Sequence, residues 1–310
     1  MLATLLLRGQ VIALVIAASA FLSGCSVRQV AVNMVGDALA SGGSVYESDA
    51  DVALVGDALP FSIKLLDSLI VESPRHQGLL LTASRSYILY GYAYVQFDAD
   101  RLASDDIDRA NALRARAHGL YLRALDYALR GLELDSPGVR ARLAADPAQA
   151  VRAIGYANAK TEVALLYASA ASLGLAISSA RQDASMLARI PEVEALLGRA
   201  LALDEAWNAG TLHEFAISWS AARPGIPDRA AIDKHYSRAL ELSQGRRAAV
   251  YVAYAEAMAV PTQNRAAFRG LLDRALAVDL EADPDSRLLN ALAKRRAHWL
   301  LERIDYLFVE

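Results

Sequence analysis

Four segments of the chain share one pattern: ALDYALRGLELDSP (124–137), VEALLGRALALDEA (193–206), KHYSRALELSQG (234–245) and FRGLLDRALAVDLE (268–281). In each segment an arginine precedes a small residue, which is followed by Leu-x-Leu or Leu-x-Val and then by an acidic or polar residue. The small residues are, in order, Gly131, Ala200, Ala239 and Ala275. They lie 69, 39 and 36 positions apart, and the longest interval is close to two units of about 35 residues.

This spacing predicts stacked helix pairs. A period in the mid-thirties is typical of tetratricopeptide (TPR) repeats, where we expect the small residue to let a neighbouring helix approach closely. One helix pair cannot bury its own apolar face, so successive pairs stack into a solenoid. The other half of each pair matches the TPR pattern poorly. We therefore predict an all-α fold, a degenerate TPR-like helix-pair solenoid of about a dozen helices. Generic amphipathic helices in an alanine-rich chain are the alternative.

The composition favours a helical protein that does not bind nucleic acid. Hydrophobic residues make up 55% of the 310 residues, and the helix-favouring Ala and Leu dominate over β-branched and aromatic types. Proline and glycine separate the helical segments, and no segment alternates between apolar and polar residues as a strand would. The formal net charge is −3, without a basic block that could bind a phosphate backbone.

The N-terminus predicts export and lipidation. An apolar run over 11–22 follows Arg8 and ends at Leu-Ser-Gly-Cys, which resembles a bacterial lipobox with Cys25 as the acylated residue. The run is shorter than the roughly 20 residues that span a membrane. An ordinary signal peptide is the alternative. Cys25 is the only cysteine, so no intramolecular disulfide can form.

These features divide the chain into three parts. Residues 1–24 are predicted to be a lipoprotein signal peptide, 25–56 a lipid-anchored tether with a short amphipathic helix, and 57–310 the TPR-like helical domain. The predicted location is the periplasm, held to a membrane by the lipid. Ser26 stands where lipoprotein sorting patterns place Asp for inner-membrane retention, and this resemblance favours the outer membrane.

Longer stretches resemble one family. They are SRSYILYGYAYVQF (84–97), LLYASAASLGLAI (165–177), LLGRALALDEAWNAGTLHEF (196–215), HYSRALELSQGRRAAVYVAYAEAMAV (235–260), FRGLLDRALAVD (268–279) and RLLNALAKRRAHWLLERIDYLF (287–308). Together with the lipobox they resemble TatT proteins, TPR-containing periplasmic lipoproteins of tripartite ATP-independent periplasmic (TRAP) transport systems. The resemblance covers most of 57–310.

The resemblance implies several properties that the spacing alone does not. It implies a channel through each protomer, a homotrimer, and a small hydrophobic organic ligand. The implied partner is the periplasmic solute-binding protein of a TRAP system, docked on the TPR surface. A scaffold of envelope or outer-membrane protein assembly, which grips peptides in an open groove, is the alternative function.

We predict no catalysis, cofactor or metal. The five histidines lack metal-ligand spacing, no G-x-S-x-G nucleophile elbow occurs, and no lysine follows the glycine of a phosphate-binding loop. A hydrolase hidden in the solenoid is a third possibility, and it would depend on Glu214 or Glu256.

Three groups of residues are candidates for ligand or partner contact. Tyr87, Tyr90 and Tyr94, with Phe97, recur at the spacing of one helical face, and core packing is the alternative to a groove lining.

The second and third groups come later in the chain. Trp207, His213, Glu214 and Trp219 are predicted on one helix, where aromatic and ionisable side chains suit a pocket rim. Tyr251, Tyr254 and Glu256 are predicted on the first helix of the next repeat, which commonly lines the concave face of a solenoid.

Two further expectations concern charge. Glu256 should have a partner if it is buried, because an unpaired buried carboxylate is costly. Arg295 and Arg296 are predicted on a solvated face of the last long helix.

The lipid anchor can be tested by replacing its attachment site. We expect Cys25→Ser to leave the helical fold intact and to release the protein into the soluble periplasmic fraction, because the acyl chains supply the membrane affinity. Cell fractionation with circular dichroism of the released protein measures both effects. A Cys25→Ser protein that stays with the membrane would contradict lipidation.

Overall fold

A computed structural model describes residues 33–38, 45–155 and 159–308 of the chain. Within those ranges the chain is helical and contains no strand, which confirms the predicted all-α, solenoid-like fold. The predicted signal peptide and Cys25 lie outside the described residues.

Residues 33–38 are helical, and nine α-helices follow them in the first half of the described chain. They are α1 (Val52–Glu72), α2 (Gln77–Tyr90), α3 (Phe97–Leu102), α4 (Ile107–Asp135), α5 (Val139–Ala145), α6 (Pro147–Ala150), α7 (Ala159–Ser179), α8 (Ala184–Leu187) and α9 (Ile190–Asp204). A π turn, Gly91–Gln96, joins α2 to α3, and a 3-10 turn, Val151–Ala153, follows α6.

The second half contains six more. They are α10 (Thr211–Ala222), α11 (Arg229–Ser243), α12 (Ala248–Tyr254), α13 (Arg265–Ala277), α14 (Arg287–Glu302) and α15 (Ile304–Leu307). A second π turn, Ala255–Ala259, extends α12, and 3-10 turns precede α10 (Trp207–Gly210) and α14 (Pro284–Ser286).

Side chains of Asp and Asn fix where many of these helices begin. The α1 cap is Asp51, whose Oδ1 accepts hydrogen bonds from the backbone N–H groups of Ala53 and Leu54 at 3.1 and 3.0 Å. Such caps satisfy the N–H groups that a helix leaves free at its start. Because α1 starts at Val52, the predicted boundary at residue 57 falls inside this helix.

Sequential helices pack against one another along the chain. Helix α2 packs on α1, α4 on α2, α7 on α4 and α9 on α7; farther on, α11 packs on α10, α13 on α12 and α14 on both α12 and α13. The four aligned small residues, Gly131, Ala200, Ala239 and Ala275, are all buried. A Cβ at Gly131 would lie 2.6 Å from Leu165 Cδ2, so α4 and α7 meet too closely there for a side chain.

The α7 helix is the centre of the largest apolar core. Its Leu165, Leu166 and Leu173 side chains are fully buried and contact residues of α4 and α9. The segment Lys160–Ser179 is long and apolar enough to cross a membrane by length and composition, and 78% of that window is buried inside the structure. A core helix passes the same test, and burial between α4 and α9 accounts for its apolar character.

The last long helix returns to the beginning of the chain. The backbone N–H of Leu288 donates to Glu47 O at 2.9 Å, and Arg287 Nη1 donates to Ser48 O at 3.0 Å. Leu288 and Leu292 share an apolar cluster with Val55 and Leu59 of α1. The row of helices therefore closes on itself.

The closure continues along α14 and just beyond it. The Trp299 ring meets the Phe97 ring edge-on, with 5.8 Å between centroids, and Arg303 Nη1 donates to Ser104 Oγ at 3.2 Å. The helices thus form a ring whose inner side is enclosed by elements from both ends of the chain.

The close approach of α4 and α7 can be tested with two glycines of α4. We expect Gly131→Ala to destabilise the protein by about 1–3 kcal/mol, because the new methyl group must displace Leu165 in a filled core. At Gly119 a Cβ would meet nothing within 4 Å.

Gly119→Ala is therefore the matched control, and we expect it to stabilise the helix by about 0.5–1 kcal/mol. Urea unfolding followed by circular dichroism measures both changes. Equal shifts for the two variants would argue against a packing constraint at Gly131.

Candidate functional site

Two π turns supply inward-facing residues to the ring. A π turn inserts one residue into an α-helix, changes the direction of the side chains around it, and is frequent at functional sites. Tyr92 lies in the turn Gly91–Gln96, and Glu256 lies in the turn Ala255–Ala259.

Arg296 of α14 connects the two ends of the chain inside the ring. Its Nε and Nη2 donate to the two carboxylate oxygens of Glu256 at 2.9 and 2.7 Å, and its Nη1 lies 3.2 Å from Asp100 Oδ2. Burial is the largest single influence and opposes the charge on Arg296, but Glu256, Tyr92 and Asp100 together outweigh it and raise the pKa of the guanidinium. Burial also raises the pKa of Asp100, against the effect of Arg296.

A second ion pair joins α10 to the start of α12. Arg247 Nε donates to Glu214 Oε2 at 2.9 Å, and Arg247 is buried. Burial is the largest single influence and opposes the charge on Arg247, but Glu214, with Tyr167 and Asp283, outweighs it and raises the pKa of the guanidinium. Both carboxylates that sequence analysis singled out, Glu214 and Glu256, are therefore held by arginine.

Tyr92 shows that these groups face one shared space. It is 42% exposed, yet burial raises the pKa of its hydroxyl, and the charges that act on it are Arg296, Glu256, Asp100 and Glu214. These four groups come from α14, the second π turn, α3 and α10, so the exposed part of Tyr92 faces the concave inner side of the helices.

Tyr167 of α7 lies at another side of the same space. Burial raises the pKa of its hydroxyl to about 12, and its charged neighbours are Glu214, Arg247 and Arg85. Its ring contacts Trp207 and Phe215, with centroid distances of 5.2 and 6.0 Å.

A left-handed turn places Trp207 against α2. Asn208, Ala209 and Gly210 have φ angles of 47°, 51° and 86°. Alanine in this region costs roughly 1–2 kcal/mol, because its Cβ crowds the backbone. The turn holds the Trp207 ring 5.6 Å from Arg85 Cζ, in a cation–π contact. Such strained positions cluster at binding sites.

His213 and His235 form a pair between α10 and α11. Their Nδ1 atoms are 2.8 Å apart, so one ring donates and the other accepts while both are neutral. His213 Nε2 lies 3.5 Å from Glu205, which also bonds Arg238. Burial lowers the pKa of both histidines, and Glu205 only partly opposes this for His213.

Comparison with known proteins gives the family of this chain. A family model described as TRAP transporter T-component matches residues 48–308. The chain belongs to the TRAP transporter T-component family. The T-component is similar to an uncharacterized protein of Treponema pallidum (strain Nichols), with 29% identity over 271 residues, 86% of this chain and 83% of the relative. Membership associates the protein with a TRAP transport system and with a periplasmic or membrane-associated location.

The tyrosines Tyr87, Tyr90 and Tyr94, predicted on one helical face, are mainly packing residues. Tyr87 is buried, and its hydroxyl donates to Asp67 at 2.9 Å. Tyr90 and Tyr94 stack with centroids 6.0 Å apart, and the Tyr94 hydroxyl donates to Val52 O at 2.9 Å. The π turn breaks the predicted single face: the inward-facing tyrosine is Tyr92, which the helical spacing left out.

The candidate residues from Trp207 onward fall into two groups: some pack in the hydrophobic core, and others face the inner side of the ring. Trp219 is buried, and Tyr254 stacks on Tyr236 with centroids 3.8 Å apart. The Tyr251 hydroxyl donates to Gly245 O at 3.4 Å. Trp207 lies in its own turn rather than on the predicted common helix with His213, Glu214 and Trp219, because left-handed residues separate it from α10.

The expectation that Arg295 and Arg296 lie on a solvated face is wrong. Arg296 pairs with Glu256, which gives this carboxylate the partner it was predicted to need. Arg295 donates to Ala93 O in the π turn and lies over the Tyr94 and Phe97 rings. Ring closure brings these residues inside, and a sequence gives no sign of it.

Several interior residues were not found from the sequence. They are Arg85, Tyr92, Asp100, Tyr167 and Arg247. The sequence predicts that arginines on amphipathic helices lie on the outer surface. Their position in the folded ring places them on its inner side instead. Among the described residues, no group of three His, Cys, Asp or Glu side chains could hold a metal ion.

We expect the histidine pair to make the stability of the T-component sensitive to acid. Because folding lowers both pKa values below the ordinary 6.5, the unfolded chain binds protons more readily, and stability should fall as the pH drops below about 6.5. Glu205, Arg238 and Lys234 are the charged groups that act on the pair.

We expect the melting temperature to fall less between pH about 7.5 and about 5.5 in the double variant His213→Gln, His235→Gln than in the wild type. His298→Gln on the exposed face of α14 is the control. An unchanged pH dependence in the double variant would contradict this role.

Proposed function

We propose that this T-component is a non-enzymatic, lipid-anchored TPR-type protein that binds a small organic ligand inside its ring. Its partner is the periplasmic solute-binding protein of a TRAP system. The observation that supports ligand binding best is the inner surface around Tyr92, which is accessible and lies among charged groups of four different elements. A mixed lining of aromatic rings and a few charged groups is typical of small-molecule sites.

Closure of the ring favours a small ligand over an extended peptide. A peptide-gripping scaffold needs an open groove, whereas α14 joins α1 and the π turn before α3 through Leu288 and Arg295. A compact molecule fits inside the ring better than an extended peptide, because both ends of the peptide would have to pass out of the ring. The envelope-assembly alternative is therefore the less favoured function.

The ion pairs argue for binding rather than hydrolysis. A general base must be free to take a proton, but Arg247 holds Glu214 and Arg296 holds both oxygens of Glu256.

We place the protein in the periplasm, anchored through lipidated Cys25 to the outer membrane, as a homotrimer. Anchoring confines the body to a thin layer, which raises its effective concentration for a partner in the same layer. Analytical ultracentrifugation of the Cys25→Ser protein tests the trimer without detergent.

The partner and the ligand can be tested in one preparation. We expect affinity purification of the tagged protein from crosslinked periplasm to recover a TRAP solute-binding protein. We expect native mass spectrometry of the same sample to show a bound small molecule. An unrelated outer-membrane lipoprotein carrying the same tag is the control. Recovery of outer-membrane proteins or peptides, with no solute-binding protein at any salt, would overturn the proposal in favour of the scaffold.

A further inference from the structure

The first long helix, α1, carries large apolar side chains on two sides. One side is buried in the core, through Val55, Leu59, Ile63, Leu66 and Ile70. The other side, here called the outer face of α1, exposes Leu54, Phe61, Leu65 and Val71. Phe61 is 74% exposed and Val71 is 78% exposed. A helix that is apolar all round is normally buried, and exposed apolar patches mark contacts with proteins or membranes. The outer face therefore has the composition of a covered surface.

Charge on the outer face is sparse and slightly negative. Asp57, Lys64 and Glu72 are exposed there, and Lys64 Nζ lies 2.6 Å from Asp67 Oδ2, which offsets the one positive charge. An anionic surface is therefore not attracted to this face. What the face offers a partner is apolar contact.

The chain enters the fold at one end of the outer face. The short helix at 33–38 is held against the end of α1, because Asn33 Oδ1 accepts a hydrogen bond from Ser73 Oγ at 2.7 Å. Met34 follows Asn33 and is exposed, and Val71 lies two positions before Ser73. Exposed apolar residues of the entering chain and of α1 thus share one corner of the molecule.

The chain before this corner is short. Cys25 lies eight positions before Asn33, and eight residues span at most about 28 Å even when fully extended. In the proposed function Cys25 carries the acyl chains, so Asn33 stays within this distance of the bilayer surface. Helix α1 is itself about 31 Å long, from its 21 residues. A tether no longer than the helix keeps α1 close to the lipid.

We propose that the outer face of α1, with Met34 and Val35 at its end, rests on the bilayer and places Phe61 and Val71 among the lipid headgroups. This inference rests on the proposed lipid anchor and adds the orientation of the body at the membrane. Anchoring gives the face a high effective concentration of bilayer, so a few apolar side chains are enough for contact. They are too few to replace the acyl chains, and Cys25→Ser is still expected to be released.

The test uses the acylated full-length chain in phosphatidylcholine vesicles. Because Cys25 is the only cysteine and its sulfur is acylated, Val71→Cys supplies a single thiol for the fluorophore NBD. Ile226→Cys is the matched control, since Ile226 is 95% exposed in the loop after α10. We expect vesicles to shift the NBD emission at position 71 to shorter wavelength and doxyl-labelled lipids to quench it. Neither change is expected at position 226.

A second substitution tests the rest of the face. Phe61→Asp in the Val71→Cys protein should reduce the doxyl quenching at position 71 by about half or more, because a carboxylate resists entry into the apolar layer. Tyr306→Asp, at an exposed aromatic residue of α15, is the matched control and should leave the quenching unchanged. Circular dichroism checks that each variant is folded. Quenching that appears only after phosphatidylglycerol is added would contradict an apolar contact.

Other results would assign the face to another occupant. Equal responses at positions 71 and 226 would overturn the membrane contact. So would short-wavelength emission at position 71 in the double variant Cys25→Ser, Val71→Cys without vesicles, which would mean that a second copy or another part of the chain covers the face.

The anchor is tested separately by mass spectrometry of the wild-type protein. An acylated Cys25 without lipid contact at position 71 would refute this inference and leave the anchor standing. An unmodified Cys25 would remove the anchor itself, and with it the basis of this inference.

Discussion

The return of α14 to the start of the chain is the constraint on which the rest of this structure depends. Without it, the helix pairs would form an open row, and Tyr92, Glu256 and Arg85 would lie on a concave surface in contact with bulk water. With it, Leu288 and Leu292 bury apolar area against α1, and Arg296 joins elements from both ends. Closure turns a curved surface into an interior.

Enclosure changes what charged groups can do. An exposed arginine–carboxylate pair contributes little to stability, but inside the ring the same pair is less screened by water and salt. The interior therefore holds Glu214 and Glu256 in fixed pairs.

The repeat helices were predictable because their cause is local. The repeated pattern is Arg, a small residue, Leu-x-Leu and a polar residue. It marks both the end of a helix and the place where the next helix approaches, and the burial of Ala200, Ala239 and Ala275 agrees with this. The burial of Tyr87 and Phe97 also agrees with the core alternative for that stripe.

The interior was not predictable for physical reasons. A π turn adds one residue without any characteristic composition, so the periodicity of α2 favours Tyr90 and Tyr94 over Tyr92. The contacts of Arg295 and Arg296 join residues about 200 positions apart, and no short pattern encodes them. Asn208 and Gly210 are residue types that tolerate a left-handed turn, but Ala209 is not, so the position of Trp207 depends on the folded surroundings.

Ring closure also has a kinetic consequence. The bond from Arg287 to Ser48 spans 239 positions, whereas the contacts within a helix pair span a few tens. Contacts between residues far apart in sequence have the greatest entropic cost of loop closure, so helix pairs should assemble first. The contacts of α14 with the start of the chain, here called the seam, should form last. By the same reasoning, the seam should open at a lower free energy than the α7 core. The proposed ligand could then exchange with the interior by brief opening of this seam while the remainder of the protein stays folded.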